Sequence, residues 1–356
     1  MDKRLRISGF GSRIGTASQS AIVFMLVLVL ASCTMPPESV PENVPRALAV
    51  EAGLASTVSL VIDDGARGDG FGSAIVLNDQ GYLITAHHVV DGATGITVLG
   101  PNGRASVARL VAEDAVGDIA LLQCKPLASM RPARPATSAR VGESVLSVGN
   151  PFGTSRFGGA PSVNAGIVSA IGRSFVSEKT GRIYLDCVQH DAPTNPGNSG
   201  GGVYNARGEL VAMNVLINTP QDVAAESGVA FALPAAKLWK VAEQLMRGES
   251  VKHGWLGARG YRAALWLTQE GLGRMGSMLR EIEDGTPAYQ AGIQAGDVIV
   301  HANWGSGAWP PAEGEVREWL LVEDELPTGR PMTLTISRAG RELEFELMVA
   351  DRTLRR

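Results

Sequence analysis

Three short stretches of the chain carry side chains that can do chemistry. The first, "GYLITAHHVVDGATG" (residues 81–95), sets His87 beside His88 at the end of an apolar run. Five histidines exist in all: His87, His88, His190, His253 and His301. The second, "DAVGDIALLQC" (114–124), puts Asp118 directly before an apolar strand, with Asp114 a turn earlier. The third, "APTNPGNSGGGVYN" (192–205), encloses Ser199 in glycines. Such a cluster is commonly no more than a turn. It becomes a nucleophile's setting when glycines let backbone N–H groups gather beside the hydroxyl. Gly197, Asn198 and Ser199 are the amides so placed. An upstream histidine can serve as base, and a buried aspartate holds its tautomer and stabilises the imidazolium. The strand-edge position favours Asp118 over Asp114 for that task.

Other chemistries fit less well. "GNSGG" satisfies G-x-S-x-G, but that elbow needs a following helix and a later histidine in the same domain. Here glycine and strand follow, and His253 and His301 fall in a second module. A metal at His87 and His88 is disfavoured because neighbours on an extended segment point to opposite sides. They also lack an H-x-x-x-H partner or a carboxylate at ligand spacing. No metal and no organic cofactor is expected. His190, in "VQHDAP", lies on the approach to the serine loop, where it either shapes a cleft or sits at the surface.

The elements that must position these residues are strands. From about 55 to 235 the chain is a series of short, β-branched runs broken by turn residues, the pattern of an all-β sandwich or barrel. "PAAKLWKVAEQLMRG" (234–248) has helical spacing, with proline at its start and glycine at its end, and closes that domain. After it, strand-like "DVIVHAN", "PMTLTIS" and "ELEFELMVA" mix with short helical pieces in a small α+β module. The 356 residues suffice for two such domains. A net charge of −4, with no basic run interleaved with aromatics, argues against nucleic acid as a partner. Cys124 and Cys187 lie in apolar stretches and are either two buried thiols or a disulfide.

Taken together, the three stretches resemble the HtrA (Deg) family of trypsin-fold serine proteases. "GFGSAIVLNDQGYLITAHHVV", "DIALLQ" and "NPGNSGG" are similar to that family's histidine, aspartate and nucleophile segments. "VGNPFG" (148–153) and "VNAGIVSAIGR" (163–173) match it as well. The resemblance implies a mainly β chain with a chymotrypsin/trypsin-like double β-barrel over 48–248 and a triad of His88, Asp118 and Ser199. His88 is designated by the fold's Thr-x-x-His pattern counted from Thr85, which leaves His87 a neighbour without catalytic consequence. "DGTPAYQAGIQAGDVIVHANW" (284–304) and "HGWLGA" (253–258) resemble a PDZ domain, over 249–351, whose carboxylate loop would use the amides of Trp255, Leu256, Gly257 and Ala258. "NWGSGAWPPAEGE" (303–315) departs from that pattern as a longer insertion.

The start of the chain reads as a processing segment. Basic "MDKRLRISGFGSR" precedes apolar "AIVFMLVLVLA" (21–31), a run too short to span a bilayer comfortably. "LASC" then resembles a lipobox, implying a signal peptide over 1–32 and a lipidated Cys33 opening a Pro-rich extended linker over 33–47. The implied protein is a lipid-anchored endopeptidase of the bacterial cell envelope, facing the periplasm. Thr34 after the cysteine favours the outer membrane. Its expected partners are misfolded or unfolded envelope proteins, C-terminal peptides and copies of itself in a trimer. Two rival readings are a PDZ-led binding protein with a silent protease, and a protease held inactive until peptide binds.

Overall fold

The computed structural model describes residues 43–352 except 64, 66–68, 101–103, 158–159, 178–179, 218–227, 268–272 and 311–317. The basic leader, Cys33 and most of the Pro-rich segment lie outside the described residues. So does the part of the 303–315 insertion after Pro310. The first described element departs from expectation: helix α1 (Asn43–Ser56) occupies what the sequence suggests is the end of an extended linker. Pro45 does not prevent this, because its missing N–H falls in the first turn, where helical amides have no partner anyway. Buried Ala49 and its neighbour Ala52 lie against Gly208, and Leu54 packs on the main core.

Two closed barrels of six antiparallel strands follow. The first comprises β1 (Thr57–Asp63), β2 (Asp69–Val76), β3 (Tyr82–Thr85), β4 (Gly95–Leu99), β5 (Ala105–Asp114) and β6 (Ile119–Cys124), ordered 1-2-3-6-5-4. The second comprises β7 (Ser144–Gly149), β8 (Ser162–Val176), β9 (Ile183–His190), β10 (Gly202–Asn205), β11 (Leu210–Ile217) and β12 (Ala230–Pro234). Its order, 7-8-9-12-11-10, repeats that of the first. Closure leaves neither sheet with an open edge.

Strand β6 explains how the barrels join. Its run is apolar except at Gln123 because both faces are largely buried: Ala120, Leu122 and Cys124 fill the first barrel. Ile119 and Leu121 point the other way, into a core shared with Val148, Tyr204, Leu210 and Met213 of the second. Each large side chain so buried is worth about 1.5–3 kcal/mol. Helix α2 (His87–Val90) is a single turn after β3. Helix α3 (Ala235–Met246) closes the shared core with Leu238, Val241 and Leu245. Cys124 and Cys187 are both free and buried, which settles the thiol alternative. Burial raises both thiols, Cys187 to about 12.

The C-terminal module begins with β13 (Gly254–Trp255), whose partner β20 (Ala350–Asp351) comes from the end of the chain. An antiparallel sheet of β14 (Ala258–Leu267), β15 (Gly273–Ile282), β16 (Val298–Asn303), β18 (Pro331–Arg338) and β19 (Arg341–Met348) follows, with β17 (Ala308–Trp309) beside β16. Short helices α4 (Pro287–Gln290) and α5 (Trp319–Asp324) complete it. Leu320 of α5 packs with Val116, Ile183 and Leu185 of the barrels.

Candidate active site

Strand pairing brings the first two site residues together. Thr85, at the end of β3, opposes Ala120 on β6, so the turn after β3 lies alongside the residue before β6. The His87 N–H donates to the Asp118 carbonyl at 3.1 Å, and the His88 N–H to Asp118 Oδ1 at 2.9 Å. His88 Nδ1 is 2.8 Å from Asp118 Oδ2. Asp118 is fully buried, whereas the His88 side chain is 31% exposed. Asp118 has a φ of +58°, a conformation that aspartate tolerates better than most residues. Its loop is tied by Asp114 Oδ1, which accepts the Gly117 N–H at 2.8 Å.

The two histidines occupy one helical turn and not an extended segment, which corrects the sequence-based geometry, yet they still part company. His88 faces Asp118. His87 is buried, with Nδ1 3.1 Å from an Arg182 nitrogen and Nε2 3.3 Å from Glu113 Oε2. His190 neither lines a cleft nor sits at the surface: it is fully buried, with Nε2 2.8 Å from Asn214 Oδ1. Burial holds its imidazole below the ordinary histidine range.

The serine loop joins β9 to β10 and is fastened to the first barrel. The Ser73 N–H donates to the Ser199 carbonyl at 2.9 Å, and Ser73 Oγ donates to the Gly197 carbonyl at 2.9 Å. Thr85 Oγ1 donates to the Ser73 carbonyl at 2.7 Å. Gly200 (φ +82°) is required here, since a Cβ would lie 2.1 Å from the Ser73 oxygen and 2.3 Å from Thr85 Oγ1. This close approach seats the half-buried Ser199 next to the strand that delivers His88. No hydrogen bond joins His88 to Ser199, a bond that commonly tightens only when substrate is present.

Among the described residues the N–H groups of Gly197 and Ser199 have no hydrogen-bond partner. The Asn198 N–H does, donating to the Asn195 carbonyl at 3.0 Å. Of the three amides suggested by the sequence, Asn198 is therefore engaged within the loop, because the tight turn folds its N–H inward. The pair left free is Gly197 and Ser199.

Sequence reasoning missed Arg182 and Tyr184. The Tyr184 hydroxyl donates to Asp118 Oδ2 at 3.0 Å, and Arg182 Nε lies 3.4 Å from Asp118 Oδ1. Burial and the charge of Asp118 push the Tyr184 phenol far up, so it acts as a donor. Neither position carries a local signal, since Arg182 directly precedes β9 and Tyr184 lies within an apolar run. It also missed His253. That imidazole is buried between Asp114 Oδ1, 2.8 Å from Nε2, and Asp324 Oδ1, 2.7 Å from Nδ1.

The loop suggested as a four-amide nest requires correction. The Leu256 N–H donates at 2.9 Å to Glu323 Oε1, whose other oxygen accepts from Tyr261 at 2.7 Å and Arg352 at 3.0 Å. Glu323 is fully buried and draws donors to itself; burial raises its carboxyl despite the nearby Arg352. Trp255 pairs with Ala350, and Ala258 with Ile282. Gly257 (φ +104°) must be glycine, because a Cβ would sit 2.0 Å from Thr286 Oγ1.

Paired six-stranded barrels with a histidine–aspartate contact beside an anchored serine loop define a trypsin-like serine protease domain. The family model described as a trypsin-like peptidase domain matches residues 72–213. The serine endoprotease DegS of Haemophilus influenzae is 30% identical over 299 residues, covering 83% of this chain and 82% of that protein. The periplasmic serine endoprotease DegP of Escherichia coli is 33% identical over 281 residues, which is 78% of this chain. The chain spans 56% of DegP and 58% of a related Haemophilus influenzae do/HhoA-like protein. The solved HtrA-type protease AlgW with tripeptide has a TM-score of 0.68 at 28% identity, covering 86% of this chain and 97% of that one. The serine endoprotease from Yersinia pestis has a TM-score of 0.62 at 28% identity, covering 90% and 100%. This chain belongs to the HtrA (Deg) family of trypsin-like serine proteases.

Proposed function

We propose that the chain is a serine endopeptidase acting through Ser199, His88 and Asp118. The observation that carries this reading is the 2.8 Å contact between His88 Nδ1 and the buried Asp118, beside a serine loop anchored on Ser73. Ser199 Oγ attacks the scissile carbonyl carbon while His88 Nε2 takes its proton. The unengaged N–H groups of Gly197 and Ser199 receive the oxyanion. The imidazolium then protonates the leaving amine, the C–N bond breaks, and an acyl-enzyme remains. Water attacks it as His88 removes a proton, the acid product leaves, and Ser199 regains its hydrogen.

The surrounding reading is an envelope protein facing the periplasm, supported by relatives whose names place them there. Residues 1–32 act as a signal peptide, Cys33 carries lipid, 48–248 form the protease domain and 249–351 a PDZ domain. Substrates are misfolded or regulatory envelope proteins, cut after small aliphatic residues, and the chains assemble as trimers. The test is labelling with a fluorophosphonate, read by intact mass, with Ser199→Ala as control. One adduct, lost in the variant, is expected; no adduct on the wild-type chain overturns an active resting site.

A second reading, a protease switched on when peptide occupies the C-terminal module, is favoured by the packing of Leu320 on the loop before Asp118. Casein digestion measured with and without a hydrophobic C-terminal peptide separates the two. Digestion that begins only with peptide supports the switch.

A further inference from the structure

We propose that Arg182 is a positioning residue for the Asp118–His88 pair, its buried guanidinium pairing with Asp118 and holding that carboxylate aimed at His88 Nδ1. The proposal rests on the protease reading above. A buried carboxylate needs its lone pairs filled and its charge balanced. An ionised carboxyl offers about four acceptor sites. At Oδ1 the His88 N–H donates at 2.9 Å, and Arg182 Nε lies at ion-pair distance, 3.4 Å, without a hydrogen bond. At Oδ2 they are His88 Nδ1 at 2.8 Å and the Tyr184 hydroxyl at 3.0 Å. Within this shell Arg182 brings the permanent positive charge.

The guanidinium is itself held in place. Its NH2 group donates to His87 Nδ1 at 3.1 Å and to Asp91 Oδ2 at 3.2 Å. Because arginine can only donate, His87 must accept at Nδ1 and carry its proton on Nε2, towards Glu113 Oε2 at 3.3 Å. His87 thus has a task that its sequence position did not disclose: it locates Arg182. Arg182 Nε is buried without a hydrogen-bond partner and lies 3.4 Å from Oδ1, so a small approach closes a charge-assisted bond on the carboxylate. Arg182 and Tyr184 reach Asp118 from alternate positions, while Ile183 and Leu185 between and beyond them pack with Val116 and Leu320. The strand that the guanidinium directly precedes is therefore fixed from its other face.

The test compares Arg182→Met and Arg182→Lys with wild type, each normalised by active-site titration with fluorophosphonate. Arg182→Met should lower kcat by about ten- to a hundredfold with KM within about twofold, as expected when a catalytic group is misplaced and no substrate contact is lost. Removing one positive charge also favours the imidazolium. The acid limb of kcat/KM should therefore move to higher pH by roughly half a unit to one unit. The charged or titratable groups facing this centre are His87, His88, Asp91, Glu113, Asp118 and Tyr184, and all are retained in both variants. Arg182→Lys keeps the charge, so its acid limb should stay in place while kcat falls by less.

A purely structural arginine would reduce the titratable fraction in both variants and leave the limb unmoved; that result overturns the proposal. The far-downfield proton resonance of the His88–Asp118 bond, recorded on the intact chain, gives a readout without turnover. It should weaken or shift in Arg182→Met and persist in Arg182→Lys; an unchanged resonance in both overturns the proposal. If the wild type takes no adduct, the active-protease reading fails separately, and the resonance still decides on Arg182.

Discussion

His253 of the C-terminal module and Asp114 of the first barrel form a buried ion pair, Nε2 to Oδ1 at 2.8 Å, four residues before Asp118. Burial alone would pull the imidazole down, but Asp114 and Asp324 raise it to about 9. Burial would likewise push Asp114 up, and His253 together with the Gly117 N–H holds it below the ordinary carboxylate range.

The sign of the pH dependence follows from these shifts. A histidine raised from 6.5 to about 9 stabilises the fold fully below 6.5, and the contribution is lost as pH rises through 9. Asp114, lowered from 3.8, contributes above that value and loses its contribution as the pH falls. Thermal melts of the wild type and His253→Gln should differ most near pH 6, by a few kcal/mol at most. The curves should meet above about pH 10. A difference that stays constant across that range would refute the charged pair.

Gly200→Ala should disable the site through the backbone. The added Cβ meets the Ser73 oxygen at 2.1 Å and Thr85 Oγ1 at 2.3 Å, in a left-handed conformation that alanine resists. The expected cost is about 2 kcal/mol or more of stability, with fluorophosphonate labelling slowed at least about a hundredfold. Gly248→Ala, also at positive φ but with open space around it, should cost only the conformational part. Equal melts and equal labelling for the two variants would show that the close approach at Gly200 does not matter.

Much of the fold was legible because barrel strands are local patterns: short β-branched runs and turn glycines mark each one. The same holds for helix 234–248, whose proline, glycine and periodicity agree with the observed Ala235–Met246. The linker ending at residue 47 was misread, because a proline in a first helical turn looks in sequence like one in an extended chain. Asp118 was preferred over Asp114 from its strand edge, but nothing local announces that Asp114 pairs with a histidine 139 residues away. Arg182 was missed for the same reason. An arginine before a strand reads as solvent-facing, and its partner His87 is 95 residues distant. The four-amide nest was expected from a glycine-bearing loop. Only the fold reveals that buried Glu323, 67 residues on, claims one amide.

That claim carries a quantitative expectation for peptide binding. With Leu256 engaged and a raised carboxyl behind the loop, fewer donors remain for a peptide's own carboxylate. Binding of a hydrophobic C-terminal peptide to the intact chain should favour the free acid over its amide by only about tenfold, or about 1.4 kcal/mol. Fluorescence anisotropy with both forms measures this. Equal affinities would dismiss carboxylate capture, and a preference of a thousandfold would mean that Glu323 releases the amide on binding.

Leu320 offers the sharpest test of communication between the module and the His88–Asp118 pair. Its side chain is buried with Val116, two residues before Asp118, and with Ile183 and Leu185, which flank Tyr184. The Ile183 N–H also donates to the Val116 carbonyl at 2.9 Å, so this contact braces the loop that holds Asp118 at positive φ. Truncation to alanine removes a packed side chain at a cost of about 2–5 kcal/mol, paid wherever the interface is the weakest part of the fold. Leu320→Ala should therefore slow fluorophosphonate labelling of Ser199 by about tenfold, because the brace on Asp118 loosens. Leu347→Ala, within the module's own core, should lower the melting temperature while leaving labelling near the wild-type rate at low temperature. If Leu320→Ala instead labels faster than wild type, the module restrains the site and does not support it, and the switch reading gains over the resting-active one.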